Sequence, residues 1–345
     1  ERTKLALNSG EEWDMVFAAE WWIDFPTQAR QGLFADLTEL LPEVTPELYA
    51  TMPEIVWEGA VIDGKIVAIP VKKDYAAELF YRFDKELFVD TLGLNPPQLP
   101  DDMTFADLEP YLEAGKEAYE DGVIGPEGEY PLMLRSGGFP GLDGNFDWIN
   151  RDALLGIPYS AVGTAESDQI VVAIEHPDMM NRWRTLHEWF QAGYINRDAA
   201  TITDLPTYSP IKIGQGFYGA DAIWTGADGY VQVISRWQGP YLSTSSIRGS
   251  MNAISADSPH IEAALLYQEL VNTNQEYRDI LRYGIEGTHW NPAGNGLVQS
   301  TDVGRQRYRP WPFSQGSYSL SSVEAAEGVE VDPNMWQVIF DGYED

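Results

Sequence analysis

Short apolar runs broken by turn residues indicate β-strands in several parts of the chain. Residues 12–17 (EWDMVF) end in an apolar run that is typical of a short buried strand. Residues 61–70 (VIDGKIVAIP) place the turn pair Asp63-Gly64 between two apolar runs, which predicts a β-hairpin. Aromatic and polar positions alternate in residues 78–83 (ELFYRF), which predicts a further strand.

Helical periodicity appears between these strands, with recognisable start and stop signals. Thr104 opens a Thr-x-x-Asp pattern ahead of a helix, and a second apolar stripe ends at Gly193. Ser258-Pro259 predicts an N-cap followed by proline at the first helical position, and a capping box starting at Thr273 predicts the next helix. Strands that alternate with helices predict an α/β protein with parallel or mixed sheets.

The charge of the chain excludes several classes of partner. The chain has 345 residues, enough for two lobes that each have their own core. Its 54 Asp and Glu residues against 22 Lys and Arg give a formal net charge of -32. A polyanion of this kind is repelled by phosphate backbones and by anionic lipid surfaces, so we expect no nucleic-acid partner.

The sequence carries no recognisable catalytic or metal-binding motif. It lacks cysteine, a phosphate-binding loop, a nucleophile elbow and a His-Glu-x-x-His helix, and its four histidines are dispersed. Residues 143–147 have the oxygen spacing of a calcium loop. However, Trp148 stands where that loop needs glycine and Leu154 where it needs the bidentate Glu, which favours an Asx-rich turn. We therefore predict no catalytic residue, no metal and no cofactor.

Aromatic residues are abundant and many of them lie in polar segments. The chain has 12 Trp, 18 Tyr and 13 Phe, and several of the tryptophans stand in Gly- or Asp-containing loops. An indole ring offers a flat apolar face with a polar edge, which suits a pyranose ring. The alternative for each tryptophan is that it fills a core or an interface.

Residues 242–290 carry a resemblance to a known family. They include Ala253-Ile254-Ser255, Ser258-Pro259, and the run from Tyr283 to Gly287 (YGIEG) followed by His289-Trp290. Residues 5–22, 63–75 and 192–201 match in the same order. Together these segments resemble the extracellular solute-binding proteins of carbohydrate ABC importers.

The resemblance implies a periplasmic-binding-protein-like fold in which two lobes, discontinuous in sequence, are joined by hinge strands. Residues 1–80 and 250–300 would form the first lobe, and residues 81–249 and 301–345 the second. Members of the family have a further strand and helix before the position of residue 1, and further helices after residue 345. We therefore expect the first strand of the first lobe to be absent from this chain.

The resemblance also implies a function and a location. A mono- or oligosaccharide would be held in the cleft between the lobes by aromatic stacking and by hydrogen bonds to its hydroxyls, and then passed to the permease subunits of an ABC importer. We expect a monomer that works outside the cell or in the periplasm. A lipid anchor on an N-terminal segment not present here would hold it at the membrane.

The candidate ligand-binding residues combine aromatic, acidic and basic side chains: Trp21, Trp22, Asp24, Lys73, Asp74, Tyr75, Trp148, Trp224, Glu286, Trp290 and Trp311. For Lys73 to Tyr75 the alternative is a solvated charge cluster, and for Glu286 it is a structural cap. Glu20 is a further possible hydroxyl partner. The basic island of Arg305, Arg307 and Arg309 could hold an acidic sugar or neutralise neighbouring carboxylates.

Two other functions stay open on the sequence alone. A glycoside hydrolase needs two carboxylates at a suitable separation, and this chain has many carboxylates but no motif that selects a pair. A binding protein for peptides or other solutes is the second alternative.

Overall fold

The computed structural model describes residues 2–150, 152–161 and 163–343. The strands are β1 Met15–Ala18, β2 Val61–Ile62, β3 Lys65–Ile66, β4 Ile69–Pro70, β5 Ala77–Asp84, β6 Phe146–Asn150, β7 Leu155–Pro158, β8 Val171–Val172, β9 Ile211–Gln215, β10 Gln232–Tyr241, β11 Met251–Ile254, β12 Trp290–Gly294, β13 Leu297–Ser300 and β14 Val323–Glu324.

The α-helices in the first quarter of the chain are all short, with at most 7 residues, and the longest helices lie beyond it. They are α1 Arg2–Asn8, α2 Glu20–Ile23, α3 Phe25–Arg30, α4 Leu40–Val44, α5 Pro46–Ala50, α6 Glu54–Gly59, α7 Glu109–Glu120, α8 Pro177–Ala192, α9 Ala220–Asp228, α10 Thr244–Ile247, α11 Ile261–Thr273, α12 Gln275–Tyr283, α13 Asp302–Arg307 and α14 Met335–Asp341. Over the described ranges, none of these helices is long and apolar enough to cross a membrane.

The chain divides into two compact units. The first unit comprises Glu1–Ala76, Leu242–Ala325 and Asp332–Asp345, and the second comprises Ala77–Tyr241 and Ala326–Val331. This division differs from the predicted lobes at the end of the chain, because most of residues 301–345 belong to the first unit. The reason lies in α12, whose Arg278 donates hydrogen bonds to the carbonyls of Pro312 and Ser317 and so holds the late segment there.

The first unit is built on an antiparallel sheet with the strand order β1-β11-β4. Its core is formed by apolar side chains of this sheet, of the surrounding helices and of the loops between them, among them Phe25, Leu37 and Leu265. The predicted hairpin is present as β2 and β3. Asp63 and Gly64 form its turn with φ values of 50° and 82°, the left-handed conformation that such a two-residue turn requires.

The second unit is built on a sheet with the strand order β10-β5-β9. Its named strands are antiparallel, but Leu132 forms parallel bridges to Ile211 and Ile195, so the sheet is mixed, as predicted. The central strand β5 contributes Tyr81, whose ring stacks on that of Trp237 at 5.3 Å between centroids. A smaller sheet of β6, β7 and β8 lies in the same unit.

Most of the predicted helices are present in the structure, but their ends differ from the predicted positions by a few residues. Helix α8 ends at Gly193 in the left-handed conformation, as predicted. Helix α11 begins at Ile261 and not directly after Ser258, whose hydroxyl instead accepts a hydrogen bond from the backbone N–H of His260. The N-cap of α12 is Asn274 and not Thr273, because the Asn274 side chain accepts the N–H of Tyr277.

Replacing Gly239 by alanine should destabilise the second unit by about 2 kcal/mol, because the new methyl group would both clash and strain the backbone. Gly239 has a φ of 92°, and a Cβ atom there would lie 2.2 Å from the carbonyl oxygen of Ala77. Urea unfolding of Gly239→Ala would measure the loss. Gly193→Ala is the matched control, because Gly193 has a φ of 80° but open space, with the nearest atom 3.9 Å away. Equal losses in the two variants would contradict the predicted clash.

Candidate functional site

An exposed cluster of aromatic rings lies on the first unit. We call it the aromatic corner and define it as Phe17, Trp21, Trp22, Trp311 and Phe313. Trp311 packs edge-to-face on Phe17, with centroids 5.0 Å apart, and on Trp21, at 5.8 Å and an interplanar angle of 89°. Trp21 also contacts Trp22 at 5.8 Å, and Phe313 contacts Trp311 at 5.6 Å.

The three tryptophans of the corner remain largely accessible. The exposed fraction is 62% for Trp21, 39% for Trp22 and 45% for Trp311. A cluster of indole rings at the surface is costly in water unless a partner covers it, so such patches commonly mark binding sites. The rings offer two faces at right angles, each of them suited to the apolar face of a sugar.

Helix α2 positions the two adjacent tryptophans. It is a single turn that starts directly after β1, and the N–H of Glu20 donates to the carbonyl of Arg248. Ile23 is the residue that this turn buries, which leaves Trp21 and Trp22 facing outward. The indole N–H of Trp21 donates to the carbonyl oxygen of Gly249 at 2.8 Å, which fixes the ring orientation.

Polar side chains near α2 can accept hydrogen bonds from a ligand. Glu20 is exposed and accepts a long hydrogen bond of 3.4 Å from the hydroxyl of Ser245. Asp24 is also exposed, between α2 and α3, with a φ of 54°. The nearby Arg248 donates to the carbonyls of Gly59 and Val61, and desolvation lowers its pKa. The immediate surroundings therefore offer carboxylate acceptors, while this guanidinium is already engaged.

Lys73, Asp74 and Tyr75 are buried, which contradicts the alternative of a solvated charge cluster. The Lys73 ammonium donates to the backbone carbonyl of Asp74 at 2.8 Å and lies 5.6 Å from the centroid of the Phe313 ring. Burial raises the pKa of the Asp74 carboxyl. Tyr75 belongs to the core of the first unit and packs against Phe340. Lys73 thus contacts the corner through Phe313, while Tyr75 packs against α14.

The two candidate tryptophans of the second unit pack against their own unit. The Arg82 guanidinium lies over the Trp224 ring at 4.3 Å, and the ring also packs at Gly214 of β9 and at the following Gly216, where a Cβ atom would clash with it. Trp148 is half-buried and packs on Phe146, at 5.8 Å between centroids. For both residues the structure favours a role in packing within the second unit over a ring that is free to stack on a sugar.

The turn around Glu286 is closed by its own hydrogen bonds. The indole N–H of Trp290 donates to the carbonyl of Gly284 at 3.1 Å, and the Ile285 N–H donates to Nδ1 of His289. Glu286 is exposed. Neither Glu286 nor Trp290 is among the residues that form the aromatic corner.

The basic island is partly neutralised within its own helix. Arg305 donates to Asp302 at 2.7 Å, which agrees with a neutralising role for that residue. Arg307 and Arg309 are exposed. Within residues 2–150, 152–161 and 163–343, no group of three or more acidic or histidine side chains is arranged to hold a metal ion.

The corner brings together three predicted residues and two that the sequence did not single out. Trp21, Trp22 and Trp311 were predicted, although Trp311 lies far from the other two in sequence. Phe17 ends a strand that was interpreted only as buried, and Phe313 stands in a segment with no periodic pattern. The sequence signal for Phe313 was its place two residues after a tryptophan in a proline-rich loop.

Comparison with known proteins shows similarity to solute-binding proteins. The chain is 26% identical over 302 residues to a carbohydrate ABC transporter substrate-binding protein of Streptococcus pneumoniae, a match that covers 84% of this chain and 56% of that protein. The chain therefore spans little more than half the length of this curated relative. No family model matches the sequence.

Solved structures show the same fold. The N-glycan transport solute binding protein NgtS of Streptococcus pneumoniae matches with a TM-score of 0.83 at 21% identity, over 100% of this chain and 72% of that one. The alginate-binding protein AlgQ2 matches with a TM-score of 0.60 at 16% identity, over 99% of this chain and 73% of that one. The predicted α/β fold of the solute-binding proteins is confirmed by these matches.

Proposed function

We infer that this chain, which has the solute-binding protein fold and is similar to a carbohydrate ABC transporter substrate-binding protein, captures a mono- or oligosaccharide for an ABC importer. The observation that carries the proposal is the aromatic corner, where the indole rings of Trp21 and Trp311 are 62% and 45% exposed and their planes stand at right angles. Capture and release break no covalent bond, so the proposed role requires no catalytic group.

Stacking on the corner can supply a useful part of the binding free energy. Covering one face of a pyranose removes on the order of 100 Å² from water, which is worth about 2.5 kcal/mol at about 25 cal/mol per Å². Glu20 and Asp24 would accept hydrogen bonds from ring hydroxyls, and hydrogen bonds to a charged acceptor are stronger than those between neutral groups. The rings would thus hold the sugar, and the carboxylates would orient it.

The names of related structures suggest the first ligand to test. NgtS has been solved in complex with Man5GlcNAc and with Man1GlcNAc, and AlgQ2 is named for alginate, an acidic polymer. We propose a neutral glycan in preference to an acidic one, because the exposed polar side chains beside α2, Glu20 and Asp24, are carboxylates and the nearby Arg248 is already engaged.

The proposed place of work lies outside the cytoplasmic membrane, facing the permease subunits of an importer. The kind of relative supports this, since substrate-binding proteins of importers act before the membrane step. A lipid anchor on a preceding segment remains a prediction from the sequence resemblance.

A ligand panel would test the function directly. The purified chain would be mixed with Man5GlcNAc, an oligouronate of similar size, or a peptide, and followed by thermal shift and by isothermal titration. We expect the neutral glycan to raise the melting temperature and to be recovered intact. Stabilisation by the peptide alone would contradict the sugar assignment, and new reducing ends on the recovered glycan would indicate a hydrolase.

A further inference from the structure

The segment that carries Trp311 and Phe313 has little regular structure of its own. Residues 308–322, which we call the platform loop, run from the end of α13 to the start of β14 and contain one short 3₁₀ turn, Pro312–Ser314. A loop of this length would be mobile without outside support. The orientation of Trp311 therefore depends on what the loop is bonded to.

Helix α12 provides support at both ends of the platform loop. At the start of the loop, the hydroxyl of Tyr308 donates to the carbonyls of Ile280 and Leu281 at 3.2 and 3.1 Å. At the end of the loop, Asp279 accepts hydrogen bonds from the N–H and the hydroxyl of Ser322 at 2.8 and 2.6 Å. These contacts fix where the loop begins and ends, but not the path of its middle.

Arg278 reaches the middle of the loop. Its side chain is 1% exposed, Nη2 donates to the carbonyl of Pro312 at 2.6 Å, and Nε donates to the carbonyl of Ser317 at 2.7 Å. These two carbonyls bracket Phe313, and the first belongs to the residue that directly follows Trp311. Hydrogen bonds from a charged donor are short and strong, and a planar guanidinium holds two acceptors in a fixed geometry.

We propose that Arg278 is a positioning residue for sugar binding, which acts by holding the platform loop so that Trp311 stays at right angles to Trp21. This inference rests on the proposed function of the aromatic corner. An indole that is already held in place loses less conformational entropy when the ligand arrives, and preorganisation of this kind increases affinity without a new contact. Arg278 itself is buried and does not touch the ligand.

Two variants separate positioning from simple packing. Arg278→Met keeps much of the side-chain volume but removes both hydrogen bonds, and we expect it to weaken binding of Man5GlcNAc about tenfold by isothermal titration. Arg278→Lys keeps the charge but cannot hold two carbonyls in one plane, so we expect an intermediate loss. Arg197→Met is the matched control, since Arg197 is an exposed arginine of the second unit that donates to the Phe190 carbonyl. We expect Arg197→Met to bind as the unchanged chain does.

A double-mutant cycle with Trp311→Ala supplies the decisive readout. If Arg278 acts through Trp311, Arg278→Met should weaken binding about tenfold in the unchanged chain and less than twofold in the Trp311→Ala background. Equal losses in both backgrounds, no loss in either, or failure of both Arg278 variants to fold would each overturn the positioning role. If the unchanged chain binds no glycan, the proposed function fails instead, and this outcome is visible before any variant is made.

Discussion

Replacing Trp21 and Trp311 together by alanine should weaken binding of a neutral glycan about 100- to 1000-fold. Each indole contributes about 2 kcal/mol, a little under the value of about 2.5 kcal/mol for a fully covered sugar face, and every 1.4 kcal/mol is about a tenfold change in affinity. Because the two rings contact each other at 5.8 Å between centroids, their effects should not be strictly additive. Isothermal titration with Man5GlcNAc would measure the loss.

The single variants and a surface control make this result specific. Trp21→Ala and Trp311→Ala should each weaken binding roughly 30-fold. Trp183→Ala is the matched control, because Trp183 is also exposed but lies on α8 in the second unit, outside the aromatic corner. Binding by the double variant within threefold of the unchanged chain, at an unchanged melting temperature, would show that the corner is not the sugar site.

Replacing Asp228 by alanine should lower the free energy of unfolding of the second unit by about 3 kcal/mol. The Asp228 carboxylate accepts hydrogen bonds from Arg82, from Lys212 at 2.8 Å and from Gln232 at 3.0 Å. Removing it leaves two largely buried cations without their common partner. Urea unfolding would measure the effect, with Asp90→Ala as the control. Asp90 pairs with Lys85 on the surface, and we expect a loss of less than about 0.5 kcal/mol there.

The same carboxylate predicts a pH dependence of stability. Burial acts to raise the pKa of Asp228, but the hydrogen bonds from Lys212 and Gln232 and the charge of Arg82 outweigh it, so the pKa lies below the ordinary value of 3.8. The stabilisation is therefore fully present above that value and is lost as the pH falls through the lowered pKa. The unchanged chain should lose more stability on acidification below pH 3.8 than Asp228→Asn does. Parallel acid profiles for the two proteins would contradict this role.

Much of the local structure could be predicted from the sequence. The Asp63-Gly64 hairpin, strand β5 and the end of α8 at Gly193 follow from turn residues, alternation and a glycine C-cap, all of which act within a few residues. The predicted helix starts differ from the observed ones where a neighbouring side chain takes the N-cap position, as Asn274 does in place of Thr273. Local signals of this kind establish that an element exists better than they establish its first residue.

The long-range arrangement could not be predicted from the pattern. The assignment of residues 301–325 to the first unit depends on Arg278 and Asp279 bonding to a loop that follows more than thirty residues later. No hydrophobic periodicity in the sequence links α12 to this loop. A buried arginine on a helix also has no distinctive sequence signal, because most arginines lie at the surface.

The candidate site was predicted in part, for reasons that differ between residues. Trp21 and Trp22 can be predicted to lie at the surface because two adjacent tryptophans cannot both point into one core, and both are exposed. Asp74 and Tyr75 were expected to face a ligand, but the packing of the first unit buries them. Trp224 was predicted to bind ligand, but its ring packs where Gly214 of β9 and the following Gly216 leave room for it.

The hydrogen bond from the Trp21 indole to the carbonyl of Gly249 has a consequence for selectivity. It uses up the one donor of the indole ring, which leaves only the flat faces of Trp21 for a bound molecule. A flat indole face can stack on a sugar ring, but it does not distinguish an axial from an equatorial hydroxyl. We therefore expect Trp21 to accept epimers almost equally, so that discrimination among hexoses falls to the carboxylates around it. Replacing Glu20 by glutamine should therefore change the order of preference among sugars. It should change the overall affinity for sugars less.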